Sequence, residues 1–167
     1  MSRAYRFLAS ALLCAWAGSV PAAVISTSNN GWHTWRIDEA SARTEMCCYS
    51  IRNGSVNRSG CDLDGRGLSI SDHGDCSAGP GQPQIYVRIK NGIPVDIRAL
   101  SSTCPVSSEA KIADLGSFTA DENLDWFRGV IENRGLKQHS REQALLALVM
   151  SESNAAFEYL DRLLTAR

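Results

Sequence analysis

The strongest periodicity in the chain runs through residues 85–99. Ile85, Val87 and Ile89 alternate with Tyr86, Arg88 and Lys90; after Asn91-Gly92, Ile93, Val95, Ile97 and Ala99 alternate with Pro94, Asp96 and Arg98. A period of two places one set of side chains on each face of a strand, and Asn-Gly supplies the positive φ that a type I′ turn needs at both central positions. The stretch therefore predicts a β-hairpin. Pro94 has no N–H to donate, so its arm belongs at a sheet edge or has its N–H side free there. Upstream, residues 32–37, 44–51 and 55–63 read as three more strands, the last two forming a hairpin around Asn53-Gly54. Residues 64–84, rich in Gly, Ser and Pro, read as a long loop.

Beyond residue 106 the period becomes helical. Thr119-Ala120-Asp121-Glu122 fits a capping box, and Leu124, Phe127, Val130 and Ile131 share one face of the helix it opens, which Gly135 closes. Ser140-Arg141-Glu142-Gln143 reads as a second capping box. The helix behind it is apolar nearly all round from Ala144 to Met150, which predicts packing on more than one side. Ser153 reads as the cap of a third helix, with Ala156, Phe157, Leu160, Leu163 and Leu164 on one stripe. The predicted class is α+β: an antiparallel, disulfide-stapled β region over residues 24–106, then a three-helix segment over 107–167.

Residues 1–23 have the order of a secretory signal. Arg3 and Arg6 precede an apolar run over residues 7–20, and Pro21 leads into small residues suited to cleavage. The run is shorter than the roughly 20 residues needed to span a bilayer as a helix, so no membrane insertion is expected once the signal is removed. Cleavage there leaves 15 basic against 18 acidic residues, a net charge of −3, because Arg3 and Arg6 leave with the signal. Such a mild balance, spread along the chain, gives no footprint for nucleic acid or an anionic surface.

Export makes the cysteines informative. Cys14 departs with the signal and leaves Cys47, Cys48, Cys61, Cys76 and Cys104, which in an oxidising compartment predict disulfides. Neighbouring side chains on a strand point to opposite faces, so Cys47 and Cys48 are expected to bond different partners. The expected set is Cys47 and Cys48 with Cys61 and Cys104, in an order left open. Cys76, in the Gly- and Ser-rich loop, is the candidate free or intermolecular thiol.

No metal or cofactor is expected. Paired Cys-x-x-Cys or His-x-x-x-His units are missing, and His73-Gly74-Asp75-Cys76 does not supply them. Asp62-Leu63-Asp64-Gly65-Arg66-Gly67 starts like a calcium loop, but Arg66 stands at a ligand position and His73 where the bidentate Glu belongs. Ser71, Asp72 and His73 are adjacent in sequence, which is not the geometry of a catalytic triad. Trp32, His33 and Trp35 form a candidate surface for sugar, peptide or cell-wall fragments, against the alternative that one Trp packs in the core.

The succession Cys47-Cys48, Cys61-Asp62-Leu63-Asp64, the hairpin over residues 85–100, Cys104-Pro105-Val106 and Leu145-Leu146-Ala147-Leu148 resembles a group of uncharacterised bacterial secreted proteins with a HEAT-repeat domain. The resemblance implies a cysteine-bearing β region followed by HEAT-type helices that serve as a protein-binding surface. This chain departs from it in stopping after three helices, whereas a solenoid stacks three or more repeats. The expectation is thus a non-enzymatic protein-binding or scaffold module of the bacterial envelope, periplasmic or secreted. The alternative is a thiol- or metal-dependent envelope enzyme using Cys76 and His73.

Overall fold

The computed structural model describes residues 25, 27, 29–38, 47–52, 55–59, 61–65, 81–150 and 153–165. Residues 1–23, to which the signal was assigned, lie outside them. In chain order the elements are β1 (Gly31–Ile37), β2 (Cys48–Arg52), β3 (Ser55–Ser59), β4 (Cys61–Asp62), β5 (Pro83–Lys90), β6 (Ile93–Ser101), β7 (Val106–Ser107), β8 (Ala113–Phe118), α1 (Ala120–Glu132), α2 (Gln138–Val149) and α3 (Asn154–Thr165). The molecule is α+β, built on a mostly antiparallel four-stranded sheet.

The predicted hairpin is its centre. Asn91 and Gly92 adopt φ of 54° and 71°, so the turn has the required positive φ at both positions. The sheet runs β6-β5-β1-β8, which places the Pro94 strand at an edge. β1 lies antiparallel to β5, with Trp35 opposite Ile85 and His33 opposite Val87. Two strand expectations are corrected. The stretch over residues 55–63 divides: β3 pairs with β2, while β4 pairs in parallel with β7. At the other edge β8 pairs in parallel with β1, a strand that the sequence pattern did not announce. Because β8 follows residue 106, the C-terminal segment contributes to the sheet as well as covering it.

One face of the sheet is covered by helices. Trp35, Ile85, Val87, Ile89 and Ile97 meet Phe127, Val130, Ala144 and Leu148 in a single core. The Trp35 ring stands edge-on to Trp126, with centroids 5.1 Å apart, and its Nε1 donates to Asn123 Oδ1 at 3.0 Å. Thr119 caps α1 as expected: its side chain accepts from the Glu122 N–H, and Glu122 Oε2 accepts from the Thr119 N–H at 2.8 Å. Ser153 Oγ accepts from the Ala156 N–H at 3.1 Å, in keeping with a cap for α3. The second capping box does not form. α2 begins at Gln138 behind Lys137, and Ser140 is buried inside its first turn.

The opposite face of the sheet is covered by the stapled segment. Trp32, Tyr86 and Leu100 pack there with Cys61, Leu63 and Cys104. Cys47 is bonded to Cys104, with Cα atoms 5.6 Å apart.

Candidate binding face

Trp32, His33 and Trp35 do not form an exposed platform; each is at most 3 % accessible. The odd spacing sends Trp32 and Trp35 to opposite faces of β1, as strand geometry requires, but both faces are covered. Trp35 lies under the helices and Trp32 under the stapled segment. The expected aromatic surface is therefore corrected to two core anchors, with His33 buried between them in sequence.

A polar network closes over Trp32. Its Nε1 donates to Asp64 Oδ1 at 3.0 Å, and the guanidinium carbons of Arg88 and Arg98 each lie 5.8 Å from its ring centroid. Asp64 Oδ2 accepts from Ser108 Oγ at 2.6 Å and from the Glu109 N–H at 2.8 Å, and Arg88 stands 3.5 Å from Oδ1. The Ser108 hydroxyl, the Trp32 indole and the Glu109 amide, assisted by Arg88, hold the Asp64 carboxyl at about 2, against a partial opposition from burial. Arg98 donates to the carbonyls of Asp62 and Leu63 and pairs with Asp96 at 3.3 Å. These groups bind one another, and the network fastens residues 62–64 and 108–109 to the sheet. The Asp62-x-Asp64 stretch is thus a structural tie: Asp62 Oδ1 accepts from the Asp64 N–H at 3.0 Å, as in a turn.

Cys47 and Cys104 both belong to the expected disulfide set and bond each other. Cys61 is also disulfide-bonded. The side chain of Cys48, and all of His73 and Cys76, lie outside the described residues. Among the described residues no group of three His, Cys, Asp or Glu side chains is placed to hold a metal ion.

The exposed apolar surface lies elsewhere. α2 buries Ala144, Ala147 and Leu148 against β6 and α1 but leaves Leu145, Leu146 and Val149 toward solvent. The helix packs against β6, α1 and α3, as its apolar circumference predicts, and still leaves these three apolar side chains uncovered. α3 buries Ala156 and Tyr159 and exposes Phe157, Leu163 and Leu164. Leu146, Val149, Phe157 and Leu164 are between 43 and 73 % accessible.

Two shallow grooves flank the ridge of α2. The first, about 220 Å³, separates α2 from β6 and is lined by Ile97, Ala99, Leu100, Gln143, Leu146 and Met150. Gln143 crosses it: Oε1 accepts from the Ile97 N–H at 3.1 Å and Nε2 donates to Asp96 Oδ1 at 3.0 Å, so one outward amide of the sheet edge is already occupied. The second groove, about 350 Å³, is lined by Ile131, Gln138, Arg141, Glu142, Leu145 and Leu163. Its polar groups are engaged. Arg141 Nε donates to the Ile131 carbonyl near the end of α1 at 2.7 Å, and Gln138 donates to Glu142 at 2.7 Å. No family model matches this chain, and neither a curated protein nor a solved structure does. The geometry itself must carry the functional reading.

What the face offers chemically is apolar area with a satisfied polar border, suited to receiving side chains from another surface. Sequence reasoning named Leu145, Leu146 and Phe157 as helix-core positions. For Leu145 and Leu146 the signal that marks them as surface is the run Leu145-Leu146-Ala147-Leu148-Val149, apolar round so much of the helix that β6, α1 and α3 together leave part of it uncovered. No described helix is long and apolar enough to cross a membrane.

Proposed function

We propose that this protein is an exported, disulfide-stapled module that binds a protein partner through the outer face of α2 and α3. The observation that carries the reading is the row of exposed apolar side chains at Leu145, Leu146, Val149, Phe157, Leu163 and Leu164. Six large apolar side chains exposed on two neighbouring helices, with Leu145 and Leu163 lining one groove, support an interaction site there. The Cys47–Cys104 bond supports a working life in an oxidising compartment. On the HEAT-like reading of the helical segment, helical pairs present binding surfaces, and α2 with α3 is the pair whose outer side is open.

The test is a photoreactive amino acid placed at Leu146 in the producing cell, with Ile93 as the control. Ile93 is exposed and apolar but sits at the hairpin tip, away from the face. Protein adducts from position 146, with none from position 93, are the expected result. Equal labelling from both positions, or none from either, would sink the reading.

A further inference from the structure

We infer that the partner of this face is a second copy of the same chain, docked α2 against α2 about a two-fold axis. The inference rests on the binding reading above and specifies its occupant. Three observations favour it.

The first is shape. A two-fold contact must be self-complementary, since the same patch serves both partners. Here a ridge, Leu145, Leu146 and Val149, stands directly beside grooves that Leu145 and Leu146 themselves help to line. Antiparallel apposition sets each ridge into the other copy's groove, the way packed helices interdigitate.

The second is area. The six exposed apolar side chains on the two helices present on the order of 500 Å² together, a large part of what one side of an interface needs. One side of a stable interface covers about 800 Å², with an apolar centre and a polar rim. Gln138, His139, Glu142, Glu158 and Arg162, exposed on the same two helices, are available for such a rim.

The third is charge. α2 and α3 carry Arg141 and Arg162 against Glu142, Glu158 and Asp161. A helical face meant for an anionic membrane carries an excess of Lys and Arg around its apolar stripe. This border is mixed and slightly acidic, which fits another mixed border and not a lipid headgroup layer.

The experiment is sedimentation equilibrium of the protein purified after expression of the full chain, over a micromolar to millimolar range, for wild type, L146E with V149E, and I93E. Both ridge positions are solvent-exposed, so the double variant is expected to melt like wild type. The expected result is a concentration-dependent species of twice the chain mass, weakened at least tenfold in the double variant and unchanged in I93E. A protein that stays single throughout the range overturns the inference, as does a dimer indifferent to L146E with V149E. So does a dimer held only by an intermolecular disulfide, seen on non-reducing gels after thiol alkylation. Flotation of wild type, but not of the double variant, with phosphatidylglycerol vesicles would also overturn it. The photoreactive group at Leu146 separates this inference from the reading beneath it. An adduct of twice the chain mass supports both, an adduct only to a different protein overturns self-association and leaves the binding reading standing, and no adduct overturns both.

Discussion

On the helix side of the sheet, Trp35, Phe127 and Leu148 are sealed by a broad apolar layer in which eighteen buried residues form one core. On the other side, Trp32 belongs to a cluster of six buried residues among those described, two of them cysteines. The stapled side carries directional bonds: the Cys47–Cys104 bridge, the Asp64 carboxylate with its donors, and Arg98 on the carbonyls of Asp62 and Leu63. The two tryptophans of β1 thus sit in environments of opposite kind, three residues apart. Among the described residues, the helix side is joined mainly by apolar packing and the stapled side adds a covalent bridge and charged hydrogen bonds.

The largest expected effect is on the broad layer. Phe127 is fully buried against Trp35 and Trp126, so Phe127→Ala should cost about 3–5 kcal/mol through lost burial and the cavity left behind. Urea unfolding followed by circular dichroism measures it. A cost below about 1 kcal/mol would mean that this core is not the main source of stability.

Next comes the staple. Cys47 and Cys104 are 57 residues apart in sequence, and removing a bridge that closes so long a loop costs about 2–4 kcal/mol. Replacing both by Ser should therefore destabilise the protein by that amount, and should do so unevenly. With 5-fluorotryptophan labelling, the Trp32 resonance is expected to shift or broaden while those of Trp35 and Trp126 hold. Equal disturbance of all three would show that the two layers unfold as one and that the contrast between them has no dynamic consequence.

The same contrast governs what the sequence disclosed. The hairpin over residues 85–100 was legible because alternation and Asn91-Gly92 are local signals, and α1 because Thr119 and Glu122 are three residues apart. β8 was not. Ala113-Asp114-Leu115-Gly116-Ser117-Phe118 has little alternation, only Phe118 is buried, and its partner β1 lies some 80 residues earlier. Trp32 and Trp35 were readable as facing opposite ways, but the cover over Trp32 comes from residues 61–63 and 104, a juxtaposition no local pattern encodes. Ser140 carried the same capping signature as Thr119, yet the chain starts α2 two residues earlier and buries that serine, so tertiary packing overrode a local preference. The exposed face was hidden by its own composition: apolar residues on a helix are first read as core.

Asp64 offers a smaller and more selective perturbation. Asp64→Asn removes charge-assisted bonds to Ser108, Trp32 and the Glu109 amide and is expected to cost about 1–3 kcal/mol near neutral pH. Its carboxyl titrates at about 2 when folded, below the ordinary 3.8. The ionised group therefore stabilises the fold fully above about pH 4, and that contribution is lost as the pH falls through 3.8 toward 2. The stability gap between wild type and Asp64→Asn should accordingly narrow over that window. A gap constant from pH 6 to pH 2 would show that the carboxylate charge is not what holds residues 62–64 against Trp32.

The smallest expected effect is the one that separates the outer face from both layers. Leu146 is 57 % accessible at the mouth of an open groove, so Leu146→Ser removes only part of a leucine's buried surface and leaves no enclosed cavity. Folding stability, measured at a dilution where the protein is a single chain, should change by about 1 kcal/mol or less. A buried leucine in the adjacent turn position, Leu148, behaves oppositely: Leu148→Ala should cost about 2–5 kcal/mol, because that side chain is fully enclosed. The two residues share a helix and a chemistry and differ only in the direction they face. If Leu146→Ser proved as costly as Leu148→Ala, Leu146 would belong to the core of the single chain, and the face would lose its claim to be a docking surface. If it is silent in the single chain yet weakens association, the apolar residues on the outside of α2 serve contact with another molecule and not the fold that carries them.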